Sequence, residues 1–198
     1  AAAAVRKALP WADTAACGPG LGTGEAAEAA VTTLLTESDI NLILDADGIN
    51  CLRGNLSLLR TYRGQCLITP HPGEMARLRG LPIDTILDDL LTCARDTARE
   101  AGIFVLLKDA RTVTASPDGH YAVNTTGCSG MATAGSGDIL TGIAAALAAR
   151  GTPFDSVGRL AAWVHGQAGR LAAKKHGESG MIATDMIEEL SEALMELT

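Results

Sequence analysis

The chain has 198 residues, 47% of them hydrophobic, and a formal net charge of −7. This length suits one domain with a large single core, and the apolar content argues against disorder. With no basic run or stripe, nucleic acid is excluded as an expected partner, and any bound anion has to be held locally by backbone N–H groups and one or two cations.

The first ten residues, AAAAVRKALP, read as the end of a helix. Ala12–Cys17 reads as a short buried strand running into GPGLGTGE, after which Ala26, Ala27, Ala30, Val31, Leu34 and Leu35 recur at helical spacing. Asn41–Leu44 (NLIL) is a second buried strand and ends in DADG; Cys66–Ile68 (CLI) is a third and ends in TPHPGE. Ile86, Leu87, Leu90, Leu91, Ala94 and Ala98 predict one long amphipathic helix, and Ile103–Leu107 predicts a strand ending at Lys108. TVTA and YAV, separated by SPDG, predict a β-hairpin. Three helices are expected after it, over about 138–150, 154–175 and 185–197. The longest apolar stretch, Ile143–Ala149, is far too short to span a membrane.

Short apolar strands alternating with helices imply an α/β fold with a mainly parallel sheet covered on both faces. Ligands in such sheets bind beyond the carboxyl ends of the strands, and the polar and Gly-rich segments of this chain fall there. Cys17, Cys51, Cys66, Cys93 and Cys128 have no CxxC spacing, and scattered free thiols suit a reducing compartment. The four histidines show no zinc-ligand spacing.

The densest cluster of unusual residues is Thr125–Gly151, where five glycines fall between Gly127 and Gly142. A loop stripped of side chains lets backbone N–H groups approach a ligand, and a helix starting behind it adds more donors and a partial positive charge. Ala134-Gly135-Ser136-Gly137-Asp138 followed by Ile139-Leu140 therefore predicts a phosphate site with a carboxylate placed to accept a proton from an attacking hydroxyl. The competing reading of Asp138 is a simple helix cap. A Walker A loop is excluded, because Ser136 stands where lysine is required after Gly130 and Gly135. A dinucleotide fingerprint is excluded too, because Gly18, Gly20, Gly22 and Gly24 alternate strictly.

Gly135-Ser136-Gly137-Asp138 resembles the anion hole and catalytic acid of the ribokinase-like superfamily. GPGLG, DADG, TPHPGEMARL, LLKDART, NTTGCSGMATAGSGD and HGQAG, in this order along nearly the whole chain, narrow the resemblance to the ADP-dependent NAD(P)H-hydrate dehydratase family. The resemblance implies a three-layer ribokinase-like fold and a repair reaction. The hydroxyl of hydrated NADH or NADPH is phosphorylated by ADP, with ATP the alternative donor, and phosphate is then eliminated. It implies Asp138 as the base, and Gly135, Ser136 and Gly137 as the anion hole. Lys108, Asp109, Ala110, Arg111 and Thr112, with Gly137, would hold the nucleotide, and Gly20, Gly22, His71 and Asp138 would hold the hydrated dinucleotide. Mg²⁺, a cytoplasmic homotetramer and no membrane partner come with the same resemblance.

By residue chemistry alone, other readings stand beside these. Lys108 reads as a solvated strand-end lysine, His71 as part of a Pro-flanked helix entry, and Gly20 and Gly22 as turn residues. Asp45 and Asp47 read as caps, with Mg²⁺ binding the alternative; the third ligand position of an EF-hand is Ile49. His165 reads as a satisfied core or interface histidine or as a nucleotide contact, and Cys128 as a small loop residue. The chain departs from the family pattern at Asp109, where glycine is usual, and at Cys128, Ala134 and Ser136. The family also carries further strands and helices before GPGLG, so residues 1–198 are expected to be one dehydratase domain lacking its N-terminal strands and helices. The rival readings are a ribokinase-like small-molecule kinase and a non-catalytic nucleotide-binding remnant. His71-Pro72-Gly73-Glu74, standing where such kinases carry Asn-x-x-Glu, favours the dehydratase.

Overall fold

The computed structural model describes residues 1–197. Helix α1 (Ala2–Ala8) leads through a 3₁₀ turn to strand β1 (Thr14–Cys17). Then come α2 (Glu25–Glu37), β2 (Asn41–Leu44), α3 (Ala46–Asn50), α4 (Leu56–Arg60), β3 (Cys66–Ile68), α5 (Pro72–Arg79), α6 (Ile83–Asp88), α7 (Leu90–Ala101) and β4 (Phe104–Leu107). The hairpin β5 (Val113–Ala115) and β6 (Tyr121–Val123) precedes α8 (Ser136–Ala149), α9 (Phe154–His176), α10 (Ala183–Glu188) and α11 (Leu190–Met195).

The strands form one sheet in chain order, β1 to β6. The pairs β1–β2, β2–β3 and β3–β4 are parallel; β4–β5 and β5–β6 are antiparallel. Strict order has a consequence for the layers. Right-handed crossovers that always step the same way put every connecting helix on one face. So α2 to α7 cover one side of the sheet, and the other is left to α8 to α11. The period-two alternation of the strands matches this division. Leu42, Leu44, Cys66, Ile68, Val105 and Leu107 join the core with α2 to α7, while Ile43, Leu67 and Leu106 join the core with α8 to α11.

Two helices expected to be continuous are broken. Asp89 leaves the helical region (φ −150°, ψ 79°) and its Oδ1 accepts the Thr92 N–H at 2.9 Å, which starts α7 afresh after α6. The apolar periodicity runs through the break because one extended residue leaves both helices facing the core. The last helix divides at Glu189, a buried carboxylate that accepts a hydrogen bond from Lys175 Nζ at 2.8 Å. Among the described residues no helix is long and apolar enough to cross a membrane.

The strand tips stay joined beyond their regular pairing. Asp45 N donates to Cys17 O at 3.0 Å, Thr69 N to Leu44 O at 3.0 Å, and Lys108 N to Pro70 O at 2.8 Å. These bonds set the segments after β1, β2, β3 and β4 side by side at one rim of the sheet.

Candidate active site

The centre of this rim is Asp45. Its side chain makes no cap for α3, as the sequence suggested it would. Instead the carboxylate, 1% exposed, takes Lys108 Nζ on Oδ1 and the Thr141 hydroxyl on Oδ2, each at 2.7 Å. Thr141 Oγ1 also lies 3.1 Å from Gly137 O, on the preceding turn of α8. A buried carboxylate is tolerated when paired and hydrogen-bonded, and here both oxygens are satisfied. Lys108 is a fixed, half-buried cation rather than a solvated strand-end side chain. Its Nζ is also 3.9 Å from Glu74 Oε2.

Two glycines let the chain cross at this point. A Cβ on Gly18 (φ 139°) would fall 1.7 Å from Asp45 O, and one on Gly48 would fall 2.6 Å from Cys17 O. The first glycine of GPGLG and the glycine of DADG are therefore required by backbone contact between two loops. Gly20 (φ 67°) and Gly22 (φ 76°) have open space around them and sit in left-handed turns. Gly22 N donates to Asp47 Oδ2 at 3.0 Å, so the second acid of DADG holds the loop that carries Gly22.

His71 and Glu74 cap α5 reciprocally. Gly73 N donates to His71 Nδ1 at 3.0 Å, and His71 N donates to Glu74 Oε2 at 2.9 Å, with Pro72 in the first turn. The Pro-flanked helix entry read from the sequence is thus real, and it fixes the imidazole at the rim with half of its side chain exposed. With Nδ1 accepting, the ring proton of the neutral imidazole sits on Nε2, which lies 3.4 Å from Glu74 Oε1.

Opposite these residues the Gly-rich loop enters α8. Gly135 stands at the N-cap with φ 87° and offers no side chain. Ser136 N is used in a turn to Thr133 O at 3.2 Å, whereas the Gly135, Gly137 and Asp138 N–H groups have no partner among the described residues. They are the open donors of a 14-residue helix N-terminus. A Cβ on Gly137 would lie 3.4 Å from Lys108 Nζ and 3.8 Å from Asp45 Oδ2. The helix N-terminus and the cation thus meet across that glycine, with nothing but hydrogen between them. Asp138, in the first turn, is exposed and makes no hydrogen bond among the described residues, leaving its oxygens available to a ligand.

The Ser136 side chain turns inward. Its Oγ lies 3.2 Å from His165 Nε2 on α9, both groups being buried. Burial, with a smaller contribution from the Lys108 charge, pushes the His165 pKa down to about 4, so the ring is neutral near pH 7. The core-histidine reading therefore describes His165, which anchors the loop to α9. Gly166 and Gly169 of HGQAG have the same purpose: a Cβ on either would strike Thr126 Oγ1 (2.1 Å) or Met131 Sδ (2.3 Å). Asn124 Nδ2 donates to Ala162 O at 3.1 Å and Thr126 Oγ1 to Trp163 O at 3.2 Å, completing the attachment. Cys128, half-buried, points its thiol at Gly169 O.

Asp109, Ala110 and Arg111 are exposed on the loop after Lys108, and Thr112 is half-exposed with its hydroxyl 3.5 Å from Asp109 O. Asp109 therefore adds no second acid to the Asp45–Lys108 pair. Thr141 was not singled out from the sequence; its signal was a lone hydroxyl on an apolar helix four residues after Gly137. Among the described residues no group of three or more His, Cys, Asp or Glu side chains could hold a metal ion alone.

Comparison with known proteins finds relatives that match along most of the chain. A family model described as NAD(P)H-hydrate dehydratase matches residues 1–192. A bifunctional NAD(P)H-hydrate repair enzyme of Moorella thermoacetica is 44% identical over 185 residues, covering 93% of this chain and 35% of that protein. The ADP-dependent (S)-NAD(P)H-hydrate dehydratase of Neisseria meningitidis is 41% identical over 154 residues, covering 76% of this chain and 52% of that one. The chain thus spans about a third to a half of the length of these curated relatives. Among solved structures, the ADP/ATP-dependent NAD(P)H-hydrate dehydratase of Bacillus subtilis, co-crystallised with ATP/Mg²⁺, superposes with a TM-score of 0.84 at 30% identity, covering 94% of this chain and 65% of that one. A ribokinase-like superfamily protein of Enterococcus faecalis superposes with a TM-score of 0.83 at 29% identity, over 98% of this chain and 66% of that one.

Proposed function

Since the chain belongs to the NAD(P)H-hydrate dehydratase family and has its ribokinase-like fold, we propose that it restores hydrated NADH and NADPH by nucleotide-driven dehydration. The observation that carries this reading is the meeting of three groups at one point: the open N-terminus of α8, the Lys108–Asp45 pair across Gly137, and the Asp138 carboxylate, unpartnered among the described residues. Hydroxide is a poor leaving group and phosphate a good one, so a site able to phosphorylate a hydroxyl can also drive a dehydration.

On this reading Asp138 accepts the proton of the hydrate's hydroxyl as its oxygen takes the terminal phosphoryl group of ADP. The Gly135, Gly137 and Asp138 N–H groups and Lys108 Nζ stabilise charge on the phosphoryl oxygens, in donors already oriented before reaction. Loss of phosphate and of a ring proton then restores the double bond, leaving AMP, phosphate and the reduced dinucleotide. His71, Gly20 and Gly22 line the side of the rim assigned to the dinucleotide; the loop Asp109–Thr112 lies toward the nucleotide. Mg²⁺, when bound with the nucleotide, would supply further charge neutralisation, with Asp138 the exposed carboxylate beside the open end of α8 that could help hold it. ADP rather than ATP as donor is proposed from the Neisseria relative, and a cytoplasmic homotetramer from the family resemblance.

The test is recovery of NADH absorbance from purified (S)-NADH hydrate with ADP, with ATP and with neither, alongside phosphate release. Nucleotide-dependent recovery with free phosphate is expected. A stable phosphorylated product would replace the dehydratase with a small-molecule kinase. Asp138→Asn is expected to lower turnover by about 10²–10⁴-fold while nucleotide affinity survives; unchanged turnover would sink the assignment of the base.

A further inference from the structure

On the far side of His71 from the nucleotide loop lies a cleft of about 290 Å³ that the proposed chemistry does not use. Thr23, Asn50, Arg53, Glu74 and Arg77 line it. Glu74 faces away from it in bonding terms, being committed to His71 and Lys108. The two remaining charged groups are guanidiniums, in a protein whose net charge is −7. Arg53 pairs with Glu28 at the outer edge. Arg77 has a neutral partner: its Nε donates to Asn50 Oδ1 at 3.0 Å. That bond fixes the plane of the guanidinium and leaves both terminal nitrogens without a carboxylate among the described residues.

The cleft is tied to the dinucleotide side of the rim by two independent contacts. Asn50 Nδ2 also donates to Asp47 Oδ1 at 3.2 Å, and Asp47 Oδ2 takes Gly22 N at 3.0 Å, so one polar chain links the Gly22 loop to Arg77. A Cβ on Gly73 would lie 2.8 Å from His71 Cε1 and 3.8 Å from Arg77 Nη1, so imidazole and guanidinium are neighbours across that glycine. Arg53 is held with φ 49°, a left-handed conformation that a side-chain-bearing residue rarely adopts, immediately before Gly54 (φ 78°). A planar fork with free nitrogens, held by a neutral acceptor, recognises the oxygens of a phosphate group in two directions at once.

We propose that Arg77, with Arg53 across the cleft, is the phosphate subsite for the hydrated dinucleotide, distinct from the anion hole at α8. The proposal rests on the dehydratase reading. The shared chemistry is an anionic phosphate group, either a singly charged phosphate of the pyrophosphate in either dinucleotide or the doubly charged 2′-phosphate of NADPH hydrate alone.

The experiment is equilibrium binding of (S)-NADH hydrate, (S)-NADPH hydrate and ADP, each alone, to the wild-type chain, Arg77→Gln and Arg77→Lys. Glutamine retains a donor for Asn50 Oδ1 and removes the charge. Hydrate affinity is expected to fall about tenfold or more in Arg77→Gln, the range of a lost charge-assisted hydrogen bond, with partial rescue by lysine and unchanged ADP affinity. A fall for both hydrates assigns the pyrophosphate; a fall confined to NADPH hydrate assigns the 2′-phosphate. Hydrate binding equal to wild type, or an equal loss of ADP affinity, overturns the subsite. Wild-type chain that binds ADP but neither hydrate overturns the dehydratase reading, and the subsite with it.

Discussion

Replacing Asp45 separates three accounts of that residue by magnitude. If Asp45 only capped α3, alanine would cost about 1 kcal/mol. The structure instead gives it a half-buried lysine and a buried threonine, each at 2.7 Å. Asp45→Ala removes one partner of a buried ion pair and leaves the Thr141 hydroxyl to its weaker contact with Gly137 O, so a loss of about 3–5 kcal/mol is expected. Asp45→Asn keeps the shape. Its carbonyl can still accept from Lys108, its amide can donate to Thr141 Oγ1, and the Thr141 hydroxyl can then donate to Gly137 O, 3.1 Å away. Lys108 keeps Glu74 within 3.9 Å and some exposure to water, so the asparagine variant should lose only about 1–2 kcal/mol. Urea unfolding of the wild-type chain, both variants and Lys108→Met, with the Asp45→Asn/Lys108→Met double variant closing the cycle, measures each term. A coupling of about 1–3 kcal/mol between positions 45 and 108 is expected for groups in contact. An alanine variant within about 1 kcal/mol of wild type, or asparagine as damaging as alanine, would refute the network as drawn.

Other expectations follow from single contacts. Gly18→Ala places a Cβ 1.7 Å from the Asp45 carbonyl and should abolish soluble folded protein, while Gly20→Ala, in open space at φ 67°, should cost only about 1–2 kcal/mol by thermal unfolding. Comparable behaviour of the two would mean that the loops do not cross as described. Thr141→Val, nearly isosteric, leaves Asp45 Oδ2 without its buried donor and should destabilise by about 1.5–3 kcal/mol in the same urea assay. His165 titrates near 4 when folded and near 6.5 when unfolded, so between these values the unfolded chain binds the extra proton and stability falls with falling pH. The loss should total about 3 kcal/mol between pH 6.5 and 4, and His165→Gln should flatten that part of the pH–stability curve; an unchanged slope would remove His165 as its source.

What the sequence determined by itself was everything governed by near neighbours. Short continuous apolar runs such as NLIL and IFVLL placed the strands; helical spacing placed α2, α7 and α9; Pro-Asp-Gly turned the hairpin. The open helix N-terminus at Gly135–Asp138 was legible because its donors come from consecutive residues. Even the breaks at Asp89 and Glu189 went unseen for a local reason, since both pieces continue one apolar face. Only the tertiary structure decided the use of residues whose partners are remote along the chain. Asp45 meets Lys108 63 positions away and Thr141 96 away, and Ser136 finds His165 29 away. An acid beside a helix start looks like a cap until the sheet order brings β4 and α8 to its two oxygens. The glycines of GPGLG divide in the same way: Gly18 admits another loop's backbone, while Gly20 and Gly22 leave space open, a distinction that depends on what the fold sets opposite each.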